Sequence, residues 1–120
     1  MRVLLVDQDV NGRASELRSA LLRRGHEVTH APEVEGAIAR LGARAFDLVV
    51  LIDEAHDARL PALCAAARDG MAEVFILALV APSRMELTAA LLDAGVDDYS
   101  PLPFSAARFD ARMRVVERTV

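Results

Sequence analysis

The chain has no lysine: all 14 of its Lys and Arg positions are arginine. A guanidinium is a wide planar fork that stays charged, so it does not stand in for an ammonium. Schiff-base chemistry, a phosphate-binding P-loop lysine and a lysine general base are excluded together. Cysteine is nearly absent. The single Cys64 forms no disulfide within the chain and supplies no multi-cysteine metal site. Its neighbours Leu63, Ala65, Ala66 and Ala67 mark it as a small buried helix residue. With 6 Gly and 5 Pro, a collagen-like or linker chain is excluded. No apolar run reaches the ~18 residues of a membrane span; the longest, Val74 to Pro82, has strand length. No signal-peptide pattern follows Met1 and Arg2, so a cytoplasmic protein without membrane contact is expected. A basic excess is lacking too: the net charge is -4 and the pI about 5.3, unlike a nucleic-acid-binding module.

What is present is a core. Hydrophobic residues make up 53% of 120, enough for one folded domain over residues 1–120. The pattern alternates strand and helix throughout. Val3 to Val6 and Leu48 to Ile52 are continuous apolar runs ending at Asp7 and Asp53, as expected for strands buried on both faces of a parallel sheet. Glu27 to His30 and Val74 to Leu79 supply two more strands. A short fifth, from Val96 to Tyr99, belongs at an edge because Pro101 and Pro103 follow it. Helical stripes run through Leu17, Ala20 and Leu21, closed by Gly25, and through Val34, Ala37, Ile38 and Leu41, with Pro32 in the first turn. A third helix spans Leu60 to Arg68. Ser83 and Glu86 form a capping box for a fourth, carrying Leu87, Ala90, Leu91 and Ala94 and ended by Gly95. Ser105 caps a last helix with Phe109, Met113 and Val116 inward. Five strands and five helices in alternation make a doubly wound α/β fold, with functional residues expected beyond the carboxyl ends of the strands.

Those residues carry a resemblance. Val3-Leu4-Leu5-Val6-Asp7-Gln8-Asp9, Phe46-Asp47-Leu48-Val49-Val50-Leu51-Ile52-Asp53, and Asp93-Ala94-Gly95-Val96-Asp97-Asp98-Tyr99 followed by Pro103-Phe104 together resemble the CheY-like receiver domain of bacterial response regulators, over nearly the whole chain. The resemblance implies a (βα)5 fold with flavodoxin-like strand order 2-1-3-4-5. It also implies chemistry: phosphoryl transfer to one aspartate, with Mg²⁺ held by acidic residues after the first strand. A Ser or Thr on the fourth strand and a Lys on the fifth would contact the phosphoryl group. Cations are needed because a carboxylate otherwise repels an anionic phosphoryl group.

The sequence departs from that pattern at several positions. Asp7 matches the first acidic position, but Gln8 stands at the second, a neutral and weaker ligand for a hard cation. Asp9, displaced by one residue, is a lesser metal candidate beside Asp7 and Asp53. Val80 occupies the hydroxyl position and Leu102 the lysine position. The acceptor is ambiguous. Counting from Phe46-Asp47 reaches Ile52, whereas counting from the strand end reaches Asp53, which requires an insertion before the strand or a bulge within it. Asp53 is the preferred, vestigial candidate. The expectation is a degenerate receiver pocket of Asp7, Gln8, Asp53, Val80 and Leu102, with no cofactor, or Mg²⁺ held weakly.

Other candidates have plainer explanations. His26 and His30 flank a short strand and lack ligand spacing, so surface or boundary roles are expected. His56, near Asp53, Glu54 and Asp57, is a local cluster without demonstrated convergence. Arg23-Arg24 suits a helix C-terminus. No dinucleotide-binding glycine fingerprint follows the first strand. Tyr99 resembles the family's switch aromatic. Asp98 and Arg112 match positions that form an intermolecular salt bridge in one receiver subfamily, whereas Arg108 stands where an acid is usual there. The expected function is a non-enzymatic signalling module. It would act through a protein partner or an attached output domain, with weak homodimerisation at most and no direct contact with nucleic acid. The alternative is a divergent receiver that accepts a phosphoryl group on Asp53 in a two-component phosphorelay. A complete small protein and an excised N-terminal domain both fit the chain.

Overall fold

A computed structural model describes residues 1–7, 13–53, 59–70, 73–80, 88–102 and 105–119. The elements alternate: β1 (Arg2–Val6), α1 (Arg13–Arg23), β2 (Glu27–Ala31), α2 (Val34–Ala43), β3 (Leu48–Asp53), α3 (Leu60–Gly70), β4 (Phe75–Val80), α4 (Thr88–Ala94), β5 (Asp98–Pro101) and α5 (Ala106–Thr119). All strand pairs are parallel and the order is β2-β1-β3-β4-β5, as expected.

The unbroken apolar runs make sense because each central strand faces two cores. Leu4, Val6, Val49, Leu51, Ile76, Ala78 and Val80 point to one side, where α2, α3 and α4 add Val34, Ala37, Leu41, Leu63, Cys64, Ala67 and Leu91. Val3, Leu5, Leu48, Val50, Ile52, Leu77 and Leu79 point to the other. There α1 and α5 add Ala20, Leu21, Phe109, Met113 and Val116. Each fully buried aliphatic side chain contributes roughly 1.5–3 kcal/mol.

Two helices end in the same way. Gly25 and Gly95 have φ of 86 and 120°, which only glycine adopts without strain. After α1, Gly25 N–H donates to Leu22 and His26 N–H to Leu21; after α4, Gly95 N–H donates to Leu92 and Val96 N–H to Leu91. This is the Schellman arrangement. The second one explains a difference from expectation: Val96 is buried as part of the cap, so β5 begins only at Asp98.

Other boundaries shift for local reasons. Pro32 precedes α2 instead of lying in its first turn, and the residue before it, Ala31, is kept extended and lengthens β2. Ile38 is exposed because Val34, Ala37 and Leu41 already fill the inward stripe. In α4, Leu91 is buried but Ala90 faces solvent. α3 continues to Gly70, past Arg68. The expected capping box at Ser83 and Glu86, and Leu87, lie outside the described residues. Ser105 does cap α5: its Oγ accepts from Arg108 N–H at 3.2 Å.

Candidate functional site

The carboxyl ends of β1, β3, β4 and β5 bring most of the expected positions together. Asp7 directly follows β1 and is only 6% exposed. Its backbone is held on both sides by the edge strand. Asp7 N–H donates to Ala31 O at 3.2 Å, and His30 Nε2 donates to the Asp7 carbonyl at 2.9 Å. A carbonyl only accepts, so Nε2 carries the hydrogen. His30 is thus a boundary residue with a defined task. Asp53 ends β3 in register with Val80. The β3–β4 register runs residue for residue from Leu48↔Phe75 to Asp53↔Val80, and β1–β3 from Val3↔Leu48 to Val6↔Leu51. No bulge interrupts these pairings. Ile52, the other counting result, is 7% exposed and packs in the α1–α5 core.

Val80 and Leu102 meet through the backbone, where Leu102 N–H donates to Val80 O at 2.7 Å. Their side chains part company. Val80, 0% exposed, joins the α2–α3–α4 core, and Leu102, 4% exposed, joins the α1–α5 core. Both positions therefore extend hydrophobic layers to the rim of the sheet instead of lining one shared apolar pocket. Mg²⁺ takes about six oxygens, several usually from water and carboxylates. Among the described side chains this rim offers one buried carboxylate, Asp7, beside the aliphatic Val80 and Leu102; Asp53, at the end of β3, would be the second carboxylate to hold the ion. Gln8, Asp9, Glu54, His56 and Asp57 lie outside the described residues.

The segment from Gly95 to Tyr99 is stapled to its surroundings. Arg68 on α3 donates from Nη1 to Val74 O at 2.6 Å and from Nη2 to Gly95 O at 2.6 Å and Asp97 Oδ2 at 2.7 Å. The same Asp97 oxygen accepts from Ile76 N–H at 2.7 Å. Asp98 turns the other way, accepting from Tyr99 N–H at 2.9 Å and from Arg112 Nη1 on α5 at 2.8 Å. The two aspartates are therefore structural anchors on opposite sides of β5. Tyr99 is half-buried and packs against the core cluster that contains Val80. Arg108 is exposed.

At the opposite, amino end of the sheet lies an ionic network that sequence reasoning missed. Arg24 donates to both oxygens of Glu117, at 2.8 Å from Nε and 2.5 Å from Nη2, and reaches Asp110 at 3.5 Å. His26 Nε2 donates to Glu117 at 2.7 Å, while its Nδ1 accepts from the Met1 amino group at 3.1 Å. The Arg24 guanidinium, aided by His26, holds the Glu117 carboxyl down at about 2, against the opposing effect of burial. Arg24 was expected to serve only the helix terminus. Its partners lie more than 80 residues away, and no local pattern announces them.

No protein-family model matches the chain. It is 35% identical over 123 residues to the response regulator MprA of Mycolicibacterium vanbaalenii, covering 98% of this chain and 51% of that protein. It is also 34% identical over 128 residues to the transcriptional activator protein PfeR of Pseudomonas aeruginosa, covering 99% and 38%. The chain belongs to the response-regulator receiver family. A two-component response regulator from Clostridium difficile superposes with a TM-score of 0.85 at 22% identity, over 98% of this receiver and 96% of that chain, which speaks to the fold. NtrX from Brucella abortus superposes with a TM-score of 0.81 at 26% identity, over 98% of the receiver and 27% of that chain. The receiver spans about half the length, or less, of the curated relatives it matches. No helix among its described residues is long and apolar enough to cross a membrane.

Proposed function

We propose that this receiver domain signals through protein contacts without aspartyl phosphorylation. The observation that carries the reading is the fate of Val80 and Leu102. Both sit in the expected hydroxyl and lysine positions, and both are buried hydrocarbon built into separate cores. A phosphoryl group at this rim would meet neither a hydroxyl nor an ammonium from them, and its charge would go unbalanced there. Gln8 further lowers the charge available to a metal. Asp7, Gln8, Asp53, Val80 and Leu102 are then the remnant positions of a phosphorylation site, no enzymatic turnover is expected, and Mg²⁺ binding is weak or absent.

Signal leaves through Tyr99, Asp98, Arg108 and Arg112, toward a cytoplasmic protein partner or an attached output domain. Because Asp98 and Arg112 already pair within the chain, the charges that would bridge two copies are internally satisfied. Self-association is accordingly weak. The test is allelic replacement in the native cell, with protein abundance measured. Asp53→Asn should leave output intact, whereas Tyr99→Ala or Arg112→Glu should reduce it. Loss of output in Asp53→Asn at normal abundance, together with a beryllofluoride-induced spectral change that this variant abolishes, would establish the alternative, a divergent phosphoswitch.

A further inference from the structure

On α5, charge is sorted by sign. Its two acids, Asp110 and Glu117, are only partly exposed and turn inward onto Arg24 and His26. Every exposed charged residue on the helix is an arginine: Arg108, Arg112, Arg114 and Arg118. Arg112 is paired with Asp98, and among the described residues no ion pair involves the other three. The exposed charged residues of α1 and α2 are of both signs instead, with Glu16, Arg18 and Arg23 on α1 and Glu35 and Arg40 on α2. Down the middle of the basic face run Ala107, Ala111 and Val115, spaced by four residues, with Val115 43% exposed. Helical geometry puts Arg108 and Arg112 on one flank of that row and Arg114 and Arg118 on the other.

We infer that the outward face of α5 docks an amphipathic helix of a partner protein whose apolar ridge is flanked by Asp and Glu. A row of residues four apart forms a ridge against which a second helix packs, and the small alanines permit close approach. Flanking guanidinium–carboxylate pairs would set the partner's register and speed its encounter. Two features favour a protein over a polyanion. The chain's net charge is -4. A nucleic-acid backbone would also leave Val115 unused. One exposed valine is too little apolar surface to hold the helix in a lipid interface. The inference rests on the reading that this receiver works by protein contact, and it names the partner's chemistry.

A designed helical peptide with a leucine ridge and glutamate flanks serves as the probe, followed by fluorescence anisotropy on the whole chain. We expect saturable binding that weakens with salt and falls at least tenfold in Arg114→Glu/Arg118→Glu and in Val115→Asp, while both variants keep wild-type circular dichroism. In the native cell, loss of output in Arg114→Glu/Arg118→Glu should be suppressed by acid-to-lysine changes on one helix of a second protein. Unchanged binding after charge reversal overturns the inference. So does equal affinity for a scrambled peptide of the same composition or for duplex DNA, and so does sedimentation showing that α5 instead joins two copies of the chain. If the probe binds only in the presence of beryllofluoride, the docking face stands and the phosphorylation-independent reading fails. If output survives Asp53→Asn but ignores charge reversal on α5, the docking face fails and that reading stands.

Discussion

The two ends of the sheet have been built by opposite rules. At the carboxyl end, positions where the receiver family is expected to carry a hydroxyl and an ammonium hold Val80 and Leu102, and each is absorbed into hydrophobic packing. At the amino end, charge is gathered: Glu117 accepts from Arg24 and His26, Asp110 from Arg24, and Asp47 from the Arg2 backbone at 2.9 Å. The ionic end joins distant parts of the chain, fastening α5 to the α1–β2 turn. Val80 and Leu102 are held instead by the pairing of β4 with β5 and by the two cores. Among the described residues, the polar groups of the amino end tie elements together, while Val80 and Leu102 carry the two cores to the rim of the carboxyl end.

The largest effect should come from cutting into the apolar end. Ile52→Ala removes a buried side chain from the α1–α5 core and should cost about 2–5 kcal/mol in chemical denaturation. A loss below about 1 kcal/mol would mean that the rim is less well packed than its burial indicates.

The amino end should respond less, and with a distinct pH signature. Glu117→Gln breaks charge-assisted hydrogen bonds at a partly exposed site, so about 1–2 kcal/mol is expected at neutral pH. Because the folded carboxyl titrates at about 2 against an ordinary 4.5, its contribution is present above about pH 4.5 and is lost as pH falls toward about 2. Urea unfolding of both proteins across that range should show the stability gap closing on acidification. A gap that stays constant would show that ionisation of Glu117 is not its source.

Asp53→Asn should change stability least, by less than Ile52→Ala and within about 0.5–1 kcal/mol. Removing one negative charge at the carboxyl end of β3, the end of the sheet where Asp7 follows β1, should relieve repulsion between carboxylates when no cation is present. A larger loss would reveal a structural partner for Asp53. Calorimetry should likewise find no saturable Mg²⁺ site at low-micromolar concentration, and Gln8→Asp should strengthen whatever binding exists.

Most of the fold was legible because strands buried on both faces leave an unmistakable apolar run, and because Gly25, Gly95 and Ser105 mark helix ends by local chemistry. Departures arose where a residue had a second use. Val96 looks like strand but closes a helix, and Ile38 fits the helical period but falls just outside a filled stripe. The candidate site was legible as a set of positions along the chain. That Val80 and Leu102 point into different layers was not, because the turn from β5 to the next residue decides it. The tie from Arg24 and His26 to Glu117 was illegible for a simpler reason. It closes across three elements, and nothing in the local sequence around any of them calls for it.

Cys64 sits on α3 with 1% of its surface exposed, and burial pushes its thiol up to about 11 despite the opposing influence of Arg68. Alkylating reagents attack the thiolate, and here the folded chain offers neither the ionised sulfur nor a path to it. As the chain's single thiol, it makes the α2–α3–α4 layer a self-timing clock. The rate at which a soluble maleimide consumes Cys64 counts how often that layer opens, without any engineered label, in wild type and in every variant alike.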